Sequence, residues 1–98
     1  MNTEKIQHIN ALVQFLTTIN DPQQMNLFLK DLCTAKELEN MAERCYAAKL
    51  LLEGNTYNQV MELADISSAT LSRVSRCVQY GAGYSQLLHG YESPKTAQ

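Results

Sequence analysis

"TYNQVMELADISSATLSRVSRC", residues 56–77, decides how the rest of the chain is read. It opens with a helix start signal. Thr56 and Gln59 have the spacing of a capping box, in which each side chain satisfies the other residue's backbone N–H. Val60, Leu63 and Ala64 supply a short apolar face. Asp65-Ile66 is a tight break, and Ser67 can cap a second helix that carries Leu71, Val74 and Val78 inward. Two short helices joined by three or four residues make a helix-turn-helix. Val60, Leu63, Ile66, Leu71 and Val74 are expected to lock the two helices at a fixed angle.

The outward residues of the second helix give this geometry a chemical purpose. Ser68, Ala69, Thr70, Ser72 and Arg73 are small or polar, the kind of surface that can sink into a major groove and meet base edges. Arg73 and Arg76 can secure phosphates, and Asn58 and Gln59 can hydrogen-bond them. The candidate DNA contacts are therefore Asn58, Gln59, Ser67, Ser68, Ala69, Thr70, Ser72, Arg73 and Arg76. The plainer alternative is a solvated helix face on a small bundle. Glu62 on the first helix opposes a DNA backbone and predicts modest affinity with a shallow salt dependence.

Charge is distributed to suit such a site. The chain has a net charge of −2, which excludes a general polyanion-binding tail. Yet between Ile66 and Tyr91 it holds Arg73, Arg76 and no acid, and every acid except Glu92 precedes Ile66.

The flanks continue the helical pattern. A first helix is expected from about Thr3 to Ile19, with Ile6, Ile9, Val13 and Leu16 on one stripe and Leu12, Phe15 and Ile19 on another. At about 100° per residue these cover roughly half the circumference, so the helix needs neighbours on more than one side. Asp21 and Pro22 start a second helix, with Met25, Phe28, Leu29 and Leu32 on its stripe. Thr34 and Glu37 form a capping box for the longest helix, about Ala35 to Glu53. Its expected buried face is Leu38, Met41, Ala42, Cys45, Ala48 and Leu52, and Gly54 fits its C-terminal cap. Gly81 and Gly83 are expected to permit backbone conformations that other residues resist. A short helix from about Tyr84 to His89 follows. The expectation is all-α, about six helices, in one domain over residues 1–90, with a flexible tail over 91–98.

The window 56–77 resembles the helix-turn-helix of bacterial repressors, "ADISSATLSRV" being similar to Ala-Gly-Val-Ser-x-x-Thr-Val-Ser-Arg-Val. Asp65 stands where that pattern has the glycine of the turn, and Asp tolerates a left-handed turn conformation. From Leu32 to about Leu88 the chain resembles the tryptophan repressor superfamily, and within it the YerC/YecD-type proteins. "LCTAKELENMAERCYAAKLLLEGNTYNQV" is similar to that repressor's long central helix and its approach, and "ATLSRV" falls on its DNA-reading helix. The resemblance implies an intertwined homodimer whose two heads address half-sites of a palindrome about 34 Å apart. It also implies an effector pocket at Thr34, Arg44, Arg73, Val74 and Cys77. Val74 replaces a glycine beneath the indole and Cys77 a serine. The added valine side chain overfills a tryptophan site, so another small effector, or none, is expected.

Other classes are disfavoured. No nucleophile–base pair, metal cluster or phosphate loop suggests an enzyme, and no cofactor is expected. His8 and His89 lie far apart, and Glu37, Glu39 and Glu43 suit a solvated face. Cys33, Cys45 and Cys77 suit buried, reduced thiols. With no signal peptide or membrane span the chain is expected in the cytoplasm. A sequence-specific homodimeric DNA-binding transcriptional regulator, a repressor with helix 67–78 in the major groove, is thus the leading expectation. A helical dimeric interaction module that has lost DNA binding is the alternative.

Overall fold

The computed structural model describes residues 2–94. Their regular structure is entirely helical: α1 (Thr3–Leu16), α2 (Pro22–Leu32), α3 (Ala35–Leu52), α4 (Tyr57–Leu63), α5 (Ser68–Tyr80) and α6 (Gly83–Leu87), then a 3-10 turn over Leu88–Gly90. Six α-helices without a strand among the described residues is the expected fold class. The part of the expected tail over 95–98 lies outside the described residues. The chain forms two compact units, one reaching Leu38 and the other starting at Glu39.

In the first unit, helix ends follow local chemistry. Asn2 caps α1 by accepting from the Lys5 N–H. The helix stops at Leu16, short of the expected Ile19, because Thr17 and Thr18 turn their hydroxyls back onto the carbonyls of Gln14 and Phe15, each at 2.7 Å. Such back-bonding competes with the helical ladder. Asp21 caps α2, its Oδ2 accepting from Gln24 N–H, with Pro22 at the first helical position. Phe15 and Phe28 meet edge to face, with ring centroids 5.0 Å apart, and tie α1 to α2. Neither helix contains a buried residue. Ile6, Ile9, Val13, Phe15, Leu27 and Leu32 are all exposed. Thr34 and Glu37 form the expected box: Glu37 N–H donates to Thr34 Oγ1, and Thr34 N–H donates to Glu37 Oε1. These bonds hold the Glu37 carboxyl below its usual range.

The core lies in the second unit. Ala47 and Leu50 of α3, Val60 of α4, Ala64 of the turn and Leu71 of α5 form one buried cluster, with Tyr46, Leu51 and Ile66 against it. The face expected for α3 is therefore rotated. Ala47, Ala48 and Leu50 are buried, while Leu38, Met41 and Cys45 are half-buried and Ala42 and Leu52 are exposed. The helix-turn-helix packs beside the regular stripe, which decides what is covered. Leu63, expected in the lock, is exposed. None of the three cysteines is buried: all are free, Cys33 and Cys45 half-buried and Cys77 exposed.

Gly54 is the positive-φ residue of the described chain, at φ 95°. It closes α3 with Gly54 N–H donating to Leu51 O and Asn55 N–H to Leu50 O, a Schellman pairing that needs a left-handed residue. Gly81 is required for a different reason from the one expected. Its φ is −88°, but a Cβ there would meet the Cys77 carbonyl oxygen at 2.7 Å. Gly83 has open space and no positive φ, so the expectation for it does not hold. No described helix is long and apolar enough to cross a membrane.

Candidate nucleic-acid interface

Two side-chain caps set the motif. Gln59 N–H donates to Thr56 Oγ1 and Thr56 N–H donates to Gln59 Oε1, so α4 starts at Tyr57 as expected. The box occupies the Gln59 carbonyl oxygen and leaves its NH2 group as the donor available to a phosphate. Asn58 beside it is exposed. Ser67 caps α5: Thr70 N–H donates to Ser67 Oγ at 3.1 Å, and Ser67 Oγ donates to Thr70 Oγ1 at 2.9 Å. Thr70, expected outward, is half-buried, and its hydroxyl keeps its own proton free to donate. Ser67→Ala is expected to lower stability by about 1 kcal/mol and Ser67→Gly by only a few tenths, read by thermal unfolding.

Between the caps, α5 divides cleanly. Leu71, Val74 and Ser75 are buried, the Ser75 hydroxyl accepting from Gln79 Nε2. Ser68, Ala69, Ser72, Arg73 and Arg76 are exposed. An open groove of about 590 Å³ runs along this outer face, lined by Ala69, Ser72, Arg73, Arg76, Cys77, Tyr80 and Gly81. Tyr80, expected from sequence to be a core or interface residue, is 82% exposed and so is not in the core of this chain. Its position four residues after Arg76 puts it on the same helical face, so spacing alone could have placed it there.

The turn between the helices differs from expectation. Ala64 is extended, at φ −117° and ψ 144°, and no non-glycine described residue has positive φ, so Asp65 is not left-handed. The Asp65 N–H instead donates to Glu43 Oε1 of α3 at 2.9 Å. Glu43, assigned from sequence to a solvated face, is half-buried.

The candidate effector residues are only partly brought together. Arg73 and Cys77 share the outer groove. Val74 lies beneath it, 1% exposed, and lines neither that groove nor a second, apolar one of about 470 Å³ at Cys77, Gly81, Gly83, Tyr84 and Leu87. Arg44 is half-buried and its guanidinium faces the Tyr84 hydroxyl; burial pushes that phenol up despite the opposing cation. Burial likewise raises Tyr91, with Cys45, Tyr46 and Glu43 near it. Thr34 belongs to the first unit, with its hydroxyl and N–H engaged by Glu37.

The comparisons with known proteins agree with this architecture. The family model described as Trp repressor protein matches residues 7–90. The chain belongs to the Trp repressor protein family. A Bacillus subtilis (strain 168) relative, "Uncharacterized protein YerC", is 35% identical over 83 residues, covering 83% of this chain and 80% of the relative. Among solved structures, "a putative Trp repressor" from Staphylococcus aureus is similar at a TM-score of 0.81 and 30% identity, covering 91% of this chain and 92% of that one. "A TrpR like protein" from Eubacterium eligens ATCC 27750 gives 0.80 and 33%, covering 85% and 87%. The Trp repressor fold is that of a DNA-binding regulator.

Proposed function

We propose that this protein is a homodimeric, sequence-specific DNA-binding transcriptional repressor whose α5 enters the major groove of a palindromic site. The carrying observation is the division of α5. Its inner face is fixed by Leu71, Val74 and Ser75, and its outer face offers Ser68, Ala69, Ser72, Arg73 and Arg76 with no acid among them. Small side chains let the helix backbone approach the bases. Ser68, Ala69, Thr70 and Ser72 approach base edges, and Arg73 and Arg76 hold phosphates, helped by Ser67, Asn58 and the Gln59 amide.

The dimer rests on a separate observation. α1 and α2 bury no residue, although Ile9 and Val13 are apolar and 45% and 52% exposed. A second copy covers these faces in this reading, as a shared core does for small chains. Ile9→Asp with Val13→Asp is expected to convert a dimer to an 11.0 kDa monomer in light scattering. A variant that kept the dimer would move the interface elsewhere. Any effector is a small molecule other than tryptophan, since Val74 stands where an indole needs room.

Exposed Glu62 and Asp65 favour, as a second reading, an interaction module that no longer binds DNA. Fluorescence anisotropy on genomic fragments at low and moderate salt separates the two. Salt-sensitive binding with enrichment of a palindrome is expected. No binding even at low salt would sink the DNA reading.

A further inference from the structure

We infer that Glu43 is the positioning residue of the reading head: its carboxylate fastens the helix-turn-helix turn to α3 and so sets the angle at which α5 is presented. This rests on the DNA-reading proposal above. Across the turn, each amide bond has a different source. Ala64 N–H donates to Val60 O at 2.8 Å and Ile66 N–H to Ala64 O at 3.1 Å, both local. Asp65 N–H, between them, donates to Glu43 Oε1 at 2.9 Å, across 22 residues. The other side-chain-to-backbone hydrogen bonds of the described residues span five residues or fewer, the longest being Asn55 to Leu50. Among the described residues, the long-range bond from a side chain to a backbone amide is therefore spent on this turn.

Its placement makes it directional. Ala64 is buried and Ile66 half-buried against the core, so apolar packing holds the turn on either side of Asp65. Packing resists separation but is not directional. A charge-assisted bond to a backbone N–H adds a fixed distance and angle. The Ser67 cap and the start of α5 follow immediately, so a shift at Asp65 is passed to Ser68, Ala69 and Ser72.

Glu43→Ala and Glu43→Gln in the full chain test this, because both remove the charge and only glutamine keeps an acceptor oxygen. Amide hydrogen exchange at Asp65 and DNA anisotropy are measured on both. In E43A, Asp65 exchange is expected to accelerate about tenfold and DNA affinity to fall about tenfold, with E43Q within about threefold of wild type in each. Loss of a negative charge by itself would strengthen DNA binding in both variants, opposite in sign to the expected E43A result. Unchanged Asp65 exchange in E43A, or equal DNA affinities for E43A and E43Q, overturns the inference. If E43A does not fold, Glu43→Asp keeps the charge on a shorter arm and takes its place, with the same ordering against E43Q expected. A wild-type chain that binds no DNA overturns the DNA reading and with it the role in presenting α5, while Asp65 exchange still reports whether the clamp exists.

Discussion

Replacing Arg73 and Arg76 together by alanine is expected to lower DNA affinity about 100-fold at moderate salt, with the loss similar on every sequence. Both side chains are exposed on the outer face of α5 and line its open groove. Phosphate contacts release counterions, so each one lost should also reduce the salt slope by about 0.9. The double variant should therefore show a slope shallower by about 1.8 in a log–log plot of affinity against salt. Stability should move by no more than about 0.5 kcal/mol, because exposed substitutions away from caps and core change little. Affinity and slope both unchanged would mean that α5 does not face the phosphates. Anisotropy titrations at three salt concentrations and one thermal scan per variant supply the measurements.

What could be read from sequence follows the range of the interactions. Thr56–Gln59, Thr34–Glu37, Asp21 and Ser67 act within three residues, and each helix they start begins where the sequence places it. The inward turn of Leu71 and Val74 was legible because helical period fixes one face against the other. Faces on α3 were harder. The stripe through Met41 and Cys45 is regular, but the residues buried are Ala47, Ala48 and Leu50, which α4, α5 and the turn select by where they pack. Leu63 fails for the same reason, lying one step off the face that Val60 and Ala64 share.

Glu43 shows the limit most directly. Nothing in its neighbourhood on α3 distinguishes it from Glu39, and its partner lies 22 residues away. Asp65 invited an explanation by local conformational tolerance, whereas the structure satisfies its amide from another helix. A short-range rule can nominate a helix-turn-helix, but the angle of its reading helix depends on contacts that no local pattern reveals.

The largest stability effect is expected at the centre of that lock. Leu71 is 0% exposed and is packed with Ala47, Leu50, Val60 and Ala64. Leu71→Ala removes the buried atoms and leaves a cavity, and the small alanines around it offer few flexible side chains to collapse into the gap. A cost of about 3 kcal/mol follows. In a chain of this size that corresponds to a fall in Tm on the order of 15 °C. Leu71 does not reach the outer face, yet DNA affinity should also fall, because α4 and α5 lose the contact that holds their angle. Ser72→Ala, on the adjacent exposed position, should leave Tm nearly unchanged. The pairing with the arginine variant is what makes the result decisive. R73A/R76A should lose affinity and keep stability, while L71A should lose both, and at temperatures where L71A is fully folded its remaining affinity deficit measures presentation alone. An L71A chain that bound DNA normally when folded would show that the α4–α5 packing sets stability but not the aim of the reading helix.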